Sequence, residues 1–267
     1  MFMTSRRRWL IVLVAVAVAA LPVALLANHS WGGYHWARTS NPFTLKLGDN
    51  VSSTWDPILN TTSTDWSKST VLDTTIVAGS ANPKNCRPTS GMVQVCDSTY
   101  GNTGWLGVAQ IWVSGLHITQ GSVKLNDTYF NTPTYNTTAW RNLVSCQEVG
   151  HTLGLDHQDT NFNNANLGTC MDYTNDPSTN QHPNQHDYDE LVIIYTHLDT
   201  TTTVGQTLPH GAGQGAGQAP PAMNDIDLAG PEQWGKVIRG SRAQGFTVHE
   251  LDFGGGHKVF TFVTWVR

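Results

Sequence analysis

Glu148, His151 and His157 stand in the run "CQEVGHTLGLDH", residues 146–157, at spacings that suit a metal ion with a base beside it. On a helix, positions 147 and 151 are one turn apart, with Cβ atoms roughly 5–6 Å from each other, so two side chains there can grip one ion. Gly154 lets the chain leave the helix through a left-handed conformation, after which His157 can swing back as a further ligand. Glu148 adjoins the first ligand position, where its carboxylate reaches a water on the metal rather than the metal itself. Three protein ligands and one open position describe a catalytic zinc site, not a structural one. On this chain's own frequencies of Glu, His and Gly, the spaced set E-x-x-H-x-x-G-x-x-H arises by chance on the order of once in a thousand chains of this length. The alternative is a core helix with two incidental histidines.

Position 147 departs from the pattern. Gln147 stands where an imidazole is the ordinary donor, and an amide oxygen is a neutral, weaker ligand for zinc. Removing a partner one shell further out already costs roughly 10–100-fold in metal affinity, so the substitution costs at least that. Gln147 is long enough to reach the ion, and its oxygen can coordinate if its NH₂ group is held elsewhere. His182 and His186 could supply the missing ligand, although their distance from the helix reads better as surface. The other histidines, among them His29, His35, His117 and His197, show no ligand spacing. "DTNFNNAN", from Asp159, alternates Asp and Asn oxygens as a Ca²⁺ loop does, but it lacks the glycine and terminal glutamate of an EF-hand, and a polar surface turn is the stronger reading.

These residues need a frame. From Thr138 to Leu153, Trp140, Leu143, Val144, Gln147 and His151 recur at helical steps. Trp55, Ile58 and Leu59 mark an earlier helix. "DYDELVIIYTHL" opens a later one, with Asp187 as cap, Glu190 three residues on, and a stripe of Tyr188, Leu191, Val192, Tyr195 and Leu198. "STVLDTTIVAG", "WLGVAQIWVSG" and "HITQGSVKLND" have the β-branched richness of strands.

The run 146–157 resembles the zinc-binding helix of the metzincin metallopeptidases, whose H-E-x-x-H-x-x-G-x-x-H it matches at all but the first position. "GTCMDY" is similar to their Met-turn. "DWSKSTVLDTTI" is similar to the Trp-Ser-strand segment of matrixins, "HITQGSVKLND" to their edge strand above the cleft, and "HDYDELVIIYTHL" to their closing helix. The resemblance covers most of residues 28–199, with only the helix and Met-turn being specific. It implies an α+β, metzincin-like zincin fold: a twisted, mostly parallel sheet, an active-site helix and an edge strand that pairs with an extended peptide or protein substrate. By position, Glu148 would be the general base, His151 and His157 the Zn²⁺ ligands, Gln147 the altered first ligand and Met171 the Met-turn methionine. Tyr173 matches the spacing at which astacins and serralysins carry a zinc-reaching tyrosine. That implies a supplementary ligand or an oxyanion stabiliser; a tyrosine packed under the helix is the alternative. The implied activity is zinc-dependent hydrolysis of peptide bonds, with Glu148 passing a proton from water to the leaving amine. The competing reading is an inactive relative that has lost zinc through Gln147 and still holds extended peptides.

Composition sets the compartment. Of the 267 residues only 13% are Asp, Glu, Lys or Arg, and the net charge of −5 leaves no basic stripe for nucleic acid. Arg6, Arg7 and Arg8 precede the unbroken apolar run Trp9 to Leu21, then Pro22 and small residues to Ala27. Residues 1–27 therefore read as a signal peptide, or as an uncleaved anchor that would tether the chain to a membrane. The four cysteines allow three connectivities in an oxidising place. Spacing favours Cys86–Cys96 and Cys146–Cys170. The latter bridge would tie the metal helix to the turn beneath it. Five Asn-x-Ser/Thr triplets begin at Asn28, Asn50, Asn60, Asn126 and Asn136. After the catalytic unit, 28–199, comes a Gly/Thr/Gln/Pro linker, 200–230. A C-terminal β segment, 231–267, is too short to hold a core easily alone, so it either packs back on the main unit or is a small β appendage. A monomer is expected.

Overall fold

The computed structural model describes residues 29–206, 219–226 and 228–267; the export segment expected at 1–27 lies outside them, as do residues 207–218 of the linker. Alternation builds the first strands. In β2 (Phe43–Asn50), Phe43, Leu45 and Leu47 are buried while Thr44 and Lys46 face water, the period of a half-buried strand. β3 (Leu72–Ala78) and β4 (Met92–Ser98) flank it in parallel, and β4 passes the parallel order on to β6 (His117–Asn126). The two-residue β1 (His35–Trp36) also lies parallel to β6. β5 (Trp105–Ser114) runs antiparallel to β6, and every one of its ten residues is buried.

Against one face of this sheet lie α1 (Asp56–Trp66) and α3 (Thr138–Thr152), with the short α2 (Asp127–Phe130) between them in sequence. α4 (Gln185–Ile194) closes the unit. Its cap is Asn184, not Asp187. Asp187 takes the third helical position and returns a hydrogen bond to the Asn184 N–H, completing a capping box. Leu191, Ile194 and Tyr195 are buried, whereas Val192 and Leu198 face water.

The expected fold class is corrected here. β7 (Lys236–Ser241), β8 (Phe246–Asp252) and β9 (His257–Trp265) do not form a separate small appendage. β9 pairs antiparallel with β5 along its whole length, and β8 and β7 follow. The result is one nine-stranded mixed sheet in the order β3-β2-β4-β6-β5-β9-β8-β7, with β1 also on β6. It is α+β, but it is not a mostly parallel metzincin-type sheet: four strand pairings are parallel and four antiparallel. The strand expected at the edge, β6, is interior between β4 and β5.

The physical reason is visible in the strands. A bare β5 would present unpaired N–H and C=O groups along a run of residues that are all buried here. β9 satisfies them, and it is itself a two-faced strand. Phe260 and Phe262 point to the α3 side, where the main core lies. Val259, Val263 and Trp265 point to the other side, where they meet Trp105, Val108, Trp112 and Trp234. Met223, from the short α5 (Pro221–Asp225), and Leu228 join that second core. Lys124 Nζ donates to the Leu228 carbonyl at 3.2 Å, tying residues of the expected linker to β6.

Candidate metal centre

α3 starts on Thr137, whose hydroxyl accepts from the Trp140 N–H. Every residue from Arg141 to Thr152 is buried. The helix is thus the central beam of the molecule. Thr62 and Ser145 share a hydroxyl hydrogen bond of 2.8 Å across α1 and α3, and Trp66 Nε1 donates to the Cys146 carbonyl. After Leu153 the chain turns at Gly154, φ +94°, where a Cβ would run into the Tyr34 carbonyl oxygen. Glycine is required there by both conformation and space.

That turn brings His157 back onto His151. Their Nε2 atoms lie 3.1 Å apart, and both rings are buried. His151 Nδ1 is 2.9 Å from the Leu155 carbonyl, which fixes Nδ1 as the protonated nitrogen and leaves Nε2 with a free lone pair. Burial, with His157 adding to it, pushes the His151 pKa down to about 3. Burial also lowers His157, although Asp156 opposes the shift. Burial alone would raise Asp156; its contacts with His157 and the guanidinium of Arg239, from β7, hold it near 2 instead.

Aromatic rings wall the pair. Phe262 stacks on His151 at 4.4 Å between centroids, and Tyr173 stacks on His157 at 4.0 Å. Phe246 and Phe162 extend the stack beyond Tyr173. The Tyr173 hydroxyl is buried with no hydrogen-bond partner, and burial raises its pKa well above the usual range. It is therefore an O–H donor waiting for an acceptor.

Glu148 and Gln147 share one hydroxyl. Thr264 Oγ1, from β9, lies 2.8 Å from Gln147 Oε1 and 2.8 Å from Glu148 Oε1. Gln147 Nε2 donates to the Cys170 carbonyl at 3.0 Å, so its amide is held and its oxygen points inward. Glu148 is fully buried. Burial raises its carboxyl to about 8, against the lowering effects of Thr264 and the Ala109 backbone, and its Oε2 has no partner. β5 makes room for it at Gly107, where a Cβ would stand 2.5 Å from Val144 Cγ1 and 2.6 Å from Glu148 Oε1.

Met171 packs under the helix at Gly150, where a Cβ would meet its sulfur at 2.6 Å. Its carbonyl accepts from the Gln158 N–H at 2.7 Å, linking the turn to the segment after His157. Cys146–Cys170 is a disulfide, and so is Cys86–Cys96, the pairs that spacing favours. Two disulfides fit an oxidising, extracellular compartment. Among the described residues no helix is long and apolar enough to cross a membrane.

The other candidates are engaged elsewhere. His182 lies 2.6 Å from Asp65, and His186 stacks on His29. In the Asp159 loop, Asp159 Oδ1 accepts from the Asn161 N–H and Asn161 Oδ1 from the Asn163 N–H, so these oxygens close local turns. Beside Gln147 opens a cavity of about 210 Å³, walled by Leu106, Trp140, Leu143, Phe162, Tyr173 and Trp265.

Two of the donors a zinc ion would need are in place: the His151 and His157 imidazoles converge, the buried Glu148 Oε2 and Tyr173 hydroxyl lack partners, and Gln147 Oε1 is engaged by Thr264. Sequence reasoning missed Thr264, Phe262, Gly107 and Arg239. The readable signal was the alternation in "VFTFVTW", which puts Phe260, Phe262 and Thr264 on one face. No protein-family model matches the chain, and a search of curated proteins finds no match.

Proposed function

We propose that this chain is a secreted, zinc-dependent metalloendopeptidase, captured in a closed form. The observation that carries the reading is the convergence of the buried His151 and His157 Nε2 atoms at 3.1 Å, with Tyr173 stacked on His157 and the buried Glu148 one turn before His151 on the same helix. The kinship to metzincin peptidases rests on these motif residues, with Gly154 and Met171, and not on the sheet.

His151 Nε2, His157 Nε2 and Gln147 Oε1 would hold the ion. Bound Zn²⁺ supplies Lewis-acid polarisation of the scissile carbonyl. The other roles belong to the chain. Glu148 accepts the proton of the attacking water and passes it to the leaving amine; a carboxyl tuned toward neutrality suits both transfers. Tyr173 keeps its proton and donates a hydrogen bond to the developing oxyanion. The cavity beside Gln147 takes an apolar substrate side chain.

In the closed form β9 occupies the β5 edge, and Thr264 and Phe262 cover the motif residues. β6 and β5 are both interior in the sheet, so pairing of an extended substrate along an edge strand is not part of the proposal. β9 fills the β5 edge under either reading, so zinc-dependent cleavage separates the peptidase from the inactive peptide-holding alternative.

The test is hydrolysis of an unfolded protein by the full chain with its disulfides intact. Wild type, Glu148→Gln and Phe262→Ala/Thr264→Ala are compared with and without zinc. We expect zinc-dependent cleavage that rises in the double variant and vanishes in Glu148→Gln. Cleavage that survives Glu148→Gln, or its absence even in the zinc-loaded double variant, removes the reading.

A further inference from the structure

His35, His117 and Asp199 come from three distant parts of the chain and bring their ligand atoms within 4.8 Å of one another, with His197 beside His35 and Asp199. His35 is the first residue of β1, and His117 opens β6 directly opposite it in the parallel ladder. His197 and Asp199 lie on the segment that leaves α4. His35 Nε2 is 3.1 Å from His197 Nε2 and 3.5 Å from Asp199 Oδ1. His117 Nε2 is 3.2 Å from the same oxygen, and His197 Nε2 is 3.8 Å from it. Tetrahedral zinc, with bonds near 2.0–2.1 Å, needs donor atoms about 3.3 Å apart. The four distances bracket that value.

From this geometry we infer a second, structural metal site that takes Zn²⁺ or a similar borderline dication through three imidazoles and one carboxylate. The supporting contacts are those a metal ligand needs. His35 Nδ1 sits 2.8 Å from the Gly33 carbonyl, an acceptor only, so Nδ1 carries the proton and Nε2 offers its lone pair to the cluster. Asp199 is held from its other oxygen: Oδ2 accepts from Arg38 Nη1 at 2.9 Å and from the Arg38 N–H at 3.2 Å, which leaves Oδ1 for the histidines. Arg38 also holds the neighbouring carbonyl of His197. With His197 as the fourth donor, 3.1 Å from His35 and 3.8 Å from Asp199, the protein would fill the coordination shell, the pattern of a structural rather than a catalytic ion. It fastens the first strand of the described chain to the start of β6 and to the exit of α4, a junction otherwise closed by hydrogen bonds such as Asp199 N–H to the Arg38 carbonyl.

The inference is independent of the peptidase reading, and the experiment keeps them apart. The full chain, disulfides intact, is stripped of metal, dialysed against trace zinc and counted for metal per chain. Wild type is compared with His117→Ala/His197→Ala and with His151→Ala/His157→Ala. His117 and His197 are partly exposed, so alanines there leave the core in place. We expect the first variant to lose about one zinc relative to wild type and the second to retain about one. If the buried site holds no metal, wild type carries about one zinc and the first variant none, which still supports the surface site. With Co²⁺ in place of zinc, the visible absorption of a tetrahedral site should persist in His151→Ala/His157→Ala and fade in His117→Ala/His197→Ala. A zinc count and Co²⁺ spectrum in His117→Ala/His197→Ala equal to those of wild type would mean the four side chains share protons rather than a metal, and would overturn the inference.

Discussion

The two histidine clusters differ in how each is assembled. His151 and His157 are six positions apart, carried by one helix and the turn that ends it, and they sit at the centre of the protein. His35 and His197 are 162 positions apart and meet only because three segments converge, with His35 buried and His117 and His197 reaching toward the surface. The buried cluster has two imidazoles and a glutamine, walled by Phe262, Tyr173 and Phe246 and stapled by Cys146–Cys170. The surface cluster has three imidazoles and a carboxylate, with Tyr195 edge-on to His35 and no disulfide beside it among the described residues. A site with a weak donor depends on the rigidity of its surroundings, whereas a site with a full donor set can itself supply the rigidity. On the proposed readings, catalytic and structural roles divide along that line.

The largest expected effect separates them by activity. Glu148→Gln should lower peptidase turnover by about 10²–10⁴-fold, the usual range for a lost acid–base group, while leaving metal content unchanged. Paired kinetics and metal analysis check it. Loss of metal together with activity would mean that Glu148 holds the site together instead of moving protons. The next effect concerns the staple. Replacing Cys146 and Cys170 by serine opens a 24-residue loop and should cost about 3 kcal/mol of stability, read from denaturant unfolding. Metal should weaken only at the buried cluster. An equal loss at the His35 cluster would show that the two sites are coupled through the fold.

The contrast also explains what could be read from the chain. E-x-x-H-x-x-G-x-x-H is legible because a helix converts spacing into geometry: positions 148 and 151 stay one turn apart, and His157 returns to His151, wherever the helix lies. The favoured disulfides were legible for a related reason, since both close short loops. The His35 cluster was not, because no spacing rule links β1, β6 and the exit of α4; only the parallel register of β1 on β6 sets His35 opposite His117. The sheet failed for a different reason. Gly, Gln and Pro between residues 200 and 230 suggested separation, yet β9 carries apolar residues on both faces, the mark of an interior strand. Given that signal and a β5 in need of a partner, the nine-stranded sheet follows. Thr264 was then within reach, since it shares its face with Phe262.

A smaller effect tests whether the buried cluster is limited by its glutamine. Gln147→His supplies the third imidazole that the surface cluster already has. Its zinc affinity should rise by at least about 10–100-fold, the scale of a lost supporting contact. Competition against a chelator measures it. Unchanged affinity would show that Gln147 Oε1 contributes nothing and that the donors are His151 and His157 alone. The surface cluster, with no substitution near it, should release zinc to the chelator at the same rate in both proteins.

The smallest effect lies at Thr264, whose single hydroxyl serves two acceptors. Thr264→Val keeps the shape of the side chain and strands Gln147 Oε1 and Glu148 Oε1 in the buried pocket. A lost hydrogen bond of this kind costs about 1 kcal/mol, read as a fall in thermal midpoint of the zinc-free protein. Zinc changes the sum, because an ion that takes Gln147 Oε1 satisfies one of the stranded acceptors. The penalty should therefore shrink when zinc is added, and Thr264→Ser, which keeps the hydroxyl, should show neither effect. A penalty equal with and without zinc would mean that Gln147 Oε1 does not turn to the metal when Thr264 lets it go. The buried cluster would then be a two-histidine site, further from the four-donor surface cluster than its sequence motif suggests.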